Sequence, residues 1–84
     1  MCFGTQVETG HVDRNVEYAV HVDENRIIER EGQHMDGFCV YMTIHGWDGV
    51  SEDHFSTTSR HDFDHSVTAD EAVREVVGDF FNQL

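Results

Sequence analysis

The chain has no lysine, no proline and only two cysteines among its 84 residues. Cys2 and Cys39 form no CxxC pair and cannot build a disulfide framework. Both are expected to be reduced thiols, with Cys39 a small strand residue. No apolar run approaches the roughly 20 residues of a membrane span. The N-terminus also lacks the basic stretch and apolar core of a signal peptide. A soluble, cytoplasmic protein is the expectation. The length suits one domain, residues 1–84, with a modest core.

The scarcity of bases is the strongest signal. Seventeen acids face five bases, all arginine, for a net charge of −12. Such a surface repels DNA, RNA and anionic lipid, so direct nucleic-acid or membrane binding is not expected. It attracts basic proteins. High acid content with little lysine also keeps halophile proteins hydrated, although the scarce alanine and abundant histidine here fit that composition less well. Acids are spread from Glu8 to Asp79 and alternate with apolar residues, which excludes a simple acidic tail.

The pattern predicts an α+β fold, an antiparallel β-meander of three to five strands packed by one C-terminal helix. Phe3 to Glu8 reads as a short edge strand ended by Gly10. Asn15 to Val22 alternates, with Val16, Tyr18, Val20 and Val22 on one face. Asp23-Glu24-Asn25 reads as a turn, with Arg26 to Glu31 returning as the second arm of a hairpin. Gly32 to Gly37 reads as a polar loop. Phe38 to His45 is apolar on both faces and predicts a central strand. Asp48-Gly49 predicts a tight hairpin, with Trp47 at its tip and a polar outer strand from about Val50 to Ser59. Thr68 and Glu71 make a capping box, and Val67 and Ala72 are placed for a hydrophobic staple. A helical stripe follows through Ala72, Val73, Val76, Val77, Phe80, Phe81 and Leu84. Asp70, Arg74, Glu75 and Asp79 should face outward.

Chemistry-bearing motifs are sparse. There is no HExxH, no nucleophile elbow and no glycine-rich phosphate loop. Acid pairs such as Glu52-Asp53 and Asp62/Asp64 arise in this composition by chance. Catalysis is therefore not expected, nor is a cofactor. Seven histidines invite a metal reading, with His54, His61 and His65 as ligands. That needs 61 and 65 on one helical face, yet the segment reads as strand end or loop. Protonating all seven would also remove seven of the twelve net negative charges, which makes a pH-sensitive interface conceivable.

The reading this composition supports first is an inhibitor that occupies the nucleic-acid groove of a basic, nucleic-acid-binding protein. Duplex DNA carries one charge per ~1.7 Å of axis, and strand or helix faces can array carboxylates in imitation. The expected contacts are Glu17, Asp23, Glu24, Glu29 and Glu31 in the first hairpin, then Trp47, Asp48, Glu52 and Asp53 around the second turn. Asp70, Glu71, Glu75 and Asp79 line the helix. In size and charge the chain resembles small phage-encoded anti-restriction and anti-CRISPR proteins, a likeness of class rather than of motif. The alternatives are an acidic adaptor or regulatory protein of a halophile, and a His/Asp metal-binding domain. A half-polar sheet with a free edge also leaves room for a homodimer.

Overall fold

A computed structural model describes residues 4–47 and 54–83. Four strands, β1 (Thr5–Asp13), β2 (Val16–Arg30), β3 (Gln33–Trp47) and β4 (His54–Asp64), form one antiparallel sheet in the order β1-β2-β3-β4. One helix, α1 (Ala69–Asn82), follows. This is the α+β meander that the pattern predicts. No helix among the described residues is long and apolar enough to cross a membrane.

The strands run longer than their hydrophobic patterns. β1 continues past Gly10 to Asp13, with the Tyr18 ring lying where a side chain on Gly10 would stand. The hairpin expected at Asp23-Glu24-Asn25 does not form. β2 is a single strand of 15 residues with a bulge between Asp23 and Arg26. Asn25 takes φ 61° there. Asparagine tolerates that left-handed conformation and serves a bulge as readily as a turn. The chain reverses instead at Glu31-Gly32, where φ is 53° and 81°, the pair of positive values a tight two-residue hairpin needs. Residues 33 to 37, expected as a loop, belong to β3. β4 lies further along than expected, at His54–Asp64, because it follows the edge of β3 from Trp47 to Gly37.

The bulge has a structural consequence. Before it, even-numbered β2 residues face the helix. After it, one extra residue has shifted the pleat, so Ile28 turns to the opposite face. Ile28, Cys39 and Tyr41 make a small second cluster there, with Met35 packed against it. The main core lies under α1, where Val20, Val22, Phe38, Val40 and Met42 meet Ala72, Val73 and Val76. Phe63 stacks on Phe38 at 5.7 Å, and Phe81 meets Tyr18 edge-on at 5.6 Å. Beyond the span that β1 and β4 cover, β2 and β3 continue as a two-stranded ribbon. The molecule is accordingly elongated, 46 × 26 × 23 Å.

The helix start is as expected. The Thr68 hydroxyl oxygen accepts the Glu71 amide at 3.2 Å and donates to the Glu71 carboxylate at 3.2 Å. Val67 and Ala72 both join the core. Thr68→Ala should cost about 1 kcal/mol. A thermal melt should then show a drop of roughly 4–8 °C for a domain of this size.

Candidate protein interface

The sheet has one face under α1 and one open face, and charge is sorted between them. On the open face the arginines of the sheet are engaged locally. Arg26 pairs with Asp23 at 3.4 Å, Arg30 with Asp64 at 3.6 Å and Arg60 with Asp62 at 2.8 Å. Arg30 also donates to the Asp62 carbonyl at 2.9 Å. Glu17 lies between two cross-strand histidines, 3.2 Å from His11 and 3.7 Å from His45. This face is a surface of opposite charges in contact, with little surplus of either sign.

Titration at this face follows from the same contacts. Burial opposes ionisation of Asp62, but the Cys39 thiol and the Arg60 and Arg30 guanidinium groups outweigh it and hold the carboxyl below its usual range. Hydrogen bonds from the Ser66 hydroxyl and amide hold Asp64 low as well. Cys39 is pushed the other way. Burial raises its pKa, and donation to Asp62 at 3.1 Å, which favours the thiol form, adds to that. A buried thiol with a raised pKa is a poor nucleophile. In a Cys2→Ser background, labelling of Cys39 by a thiol reagent should therefore track global unfolding in urea. Labelling at a free-thiol rate in the native protein would contradict this.

The acidic surplus lies on the helix side. Glu71, Glu75 and Asp79 recur every fourth residue along the exposed flank of α1, which spaces them ~6 Å apart. Asp70 is beside them. Glu24, in the bulge, shares a depression with Thr68 and Ala69 at the helix start. The shifted pleat also turns Glu29 toward this side, where Asp36, opposite Ile27, already lies on the unbroken pleat of β3. All of these acids are exposed. Ile27, 61% exposed, stands among the ribbon acids.

The sequence-predicted contacts are thus divided. Glu17 sits on the open face between His11 and His45, and Asp23 sits there beside Arg26. Glu24 and Glu29 lie on the helix side, and Glu31 is at the ribbon tip. Glu17 and Glu29 are separated by about 40 Å of extended strand, at ~3.3 Å per residue, so the five acids do not form one hairpin cluster. Trp47 is not a turn-tip residue. It ends β3 opposite His54, donates its backbone N–H to Asn15 at 3.1 Å, and is 38% exposed. Asp48, Glu52 and Asp53 lie outside the described residues. Asp36 was hidden in the segment expected as a loop, and only the continuation of β3 through Gly37 reveals its face.

The histidine trio does not converge. His54 and His61 are on opposite faces of β4, roughly 23 Å apart at the rise of a strand. His65 follows the strand and packs on Phe38. Among the described residues no three His, Cys, Asp or Glu side chains are grouped to hold a metal. No family model, curated protein or solved structure matches the chain.

Proposed function

We propose that this protein binds a basic, nucleic-acid-binding protein in the cytoplasm and inhibits it by occupying its nucleic-acid groove. The binding surface is the helix side, formed by Glu71, Glu75 and Asp79 and extended by Asp70, Glu24, Glu29 and Asp36. The observation that carries this reading is the sorting of charge. Arg26, Arg30 and Arg60 are engaged on the open face, which leaves Arg74 as the arginine standing among the acids of the helix side and a clear acidic surplus there. The ~6 Å interval of the helix stripe is close to every second phosphate of one DNA strand, at ~3.4 Å per phosphate. An arginine groove built for phosphates would meet carboxylates at compatible intervals. No catalytic step is needed, since occlusion alone inhibits.

Local energetics support the same surface. Like charges four apart on a helix destabilise it by about 0.2–0.5 kcal/mol per pair. Asp79 also lies near the negative end of the helix dipole, and the last turn contains no base. Glu71 serves the helix start, but Glu75 and Asp79 are kept against the interest of the helix that bears them.

The test is capture of partners from a native host lysate at low salt, followed by a salt step. One stoichiometric nucleic-acid-binding protein, released by salt and displaced by duplex DNA or RNA, is the expected result. A partner indifferent to both salt and duplex would refute charge mimicry.

A further inference from the structure

The two edges of the sheet differ in kind. β1 carries two register shifts, at Gln6/Glu8 and His11/Asp13, and acids at Glu8 and Asp13. Bulges and charges are how sheet edges resist pairing with another strand. β4 has neither device over most of its length. Its eleven residues pair with β3 without a shift. From His54 to His61 it contains no acid in a chain of net charge −12. Residues 54 to 60 are all exposed, and no described strand lies on the outer side of β4.

Beside this edge, on the helix side, α1 leaves a groove lined by Met42, Ile44, Ser59, His61, Val76 and Phe80. Phe55, on the same face of the same strand, is 41% exposed.

We propose that β4 is a homodimer interface, in which two copies pair edge to edge about a twofold axis at Thr58 to give one continuous eight-stranded sheet. In antiparallel pairing, residues directly opposite share a face, so a twofold axis must pass through a residue pair. Centring on Thr58 opposes Arg60 to the partner's Ser56, Asp62 to the partner's His54, and His61 to the partner's Phe55. Each Phe55 then lies beside the other copy's groove at His61, which gives both exposed apolar features an occupant. Centring on Arg60 would instead oppose two guanidinium groups. Like charges directly opposite are destabilising. About ten residues a side, with Phe55 seated, approach the roughly 1,000 Å² that a specific interface needs.

Association of two such acidic bodies should tighten with salt, by about tenfold between 0.05 and 1 M, as their mutual repulsion is screened. The complex with a basic partner should weaken over the same range, so the two interactions are separable.

Sedimentation equilibrium across a concentration and salt series tests the proposal. A species of twice 9.7 kDa, favoured by salt, is expected. Thr58→Glu places two carboxylates opposite each other and should shift the dimer constant at least tenfold toward monomer. An unchanged circular dichroism spectrum would show that this variant still folds. In a Cys2→Ser background, Thr58→Cys should oxidise to a covalent dimer, because directly opposite Cα atoms lie about 4.5–5.5 Å apart, within the range a disulfide spans. Gln6→Cys on the β1 edge should not. A monomer at high concentration and high salt, or a dimer that Thr58→Glu leaves intact, would overturn the proposal.

Discussion

Replacing Gly37 with valine should destabilise the protein by roughly 3 kcal/mol, near the upper range for overpacking. Strand propensity alone argues for the opposite sign, since valine is favoured and glycine disfavoured in strand interiors by up to about 1 kcal/mol. Packing decides. Gly37 is buried in β3 between Arg26 of β2 and Asp64 of β4. A Cβ on it would collide with the backbone carbonyl of Phe63 and lie 2.8 Å from the Ile28 side chain. The carbonyl belongs to a paired strand and cannot yield without parting β3 from β4. Ile28 is held by the second cluster that the β2 bulge creates. A domain of this size has only about 4–13 kcal/mol in hand, so the loss should be plain in urea denaturation. Gly32→Asn is the control. Nothing lies within 4 Å of a Cβ there, and asparagine tolerates its φ of 81°. That change should cost less than about 1 kcal/mol. A Gly37→Val variant as stable as its parent would refute the close-approach account.

The two glycines show what was legible in the sequence and what was not. Both read as loop markers, because in a one-dimensional pattern a glycine needed for positive φ resembles one needed for lack of a side chain. Only the pairing of β3 with β4 separates them. The helix was legible because its determinants are local. Thr68, Glu71, Val67 and the apolar stripe act within a few turns of one another. The pleats of Val16–Val22 and Phe38–Ile44 were legible because each buries a period-two face. At Asn25 local determinants do not decide the outcome. Its side chain permits the left-handed conformation but does not decide whether the chain then reverses or bulges. That choice depends on Ile28 finding Cys39 and Tyr41 on the far face, a tertiary fact.

The acidic surface was legible in amount and not in arrangement. Composition alone gives the charge, and it marks the outer flank of the helix. It does not reveal that Arg26, Arg30 and Arg60 gather on the open face, because Arg26 and Arg30 reach that face only through the bulge. It also hides Asp36. Acids near in sequence, such as Asp23 and Glu24, differ in role because one faces an arginine and the other faces the helix start.

The double reversal Glu75→Lys with Asp79→Lys should therefore separate binding from stability. It exchanges two exposed acids for bases in the middle of the proposed surface, turning attraction to a basic groove into repulsion. At about 1.4 kcal/mol per reversed site, affinity for the captured partner should fall roughly 100-fold at low salt. Its salt dependence should flatten as well, because fewer opposed charges remain to be screened. The helix should gain. The Glu71–Glu75 repulsion becomes an attraction, the pair at 75 and 79 exchanges one like-charge repulsion for another, and a lysine at 79 suits the negative helix end. Each such change contributes a few tenths of a kcal/mol, so the melting temperature should rise by a few degrees at low salt. Ordinary surface damage would lower both quantities together, and a purely solvating role for the acids would leave binding untouched. Loss of binding with a gain in stability is the signature of acids held in place for a partner. Equal affinity of the variant and parent would remove the helix stripe from the interface.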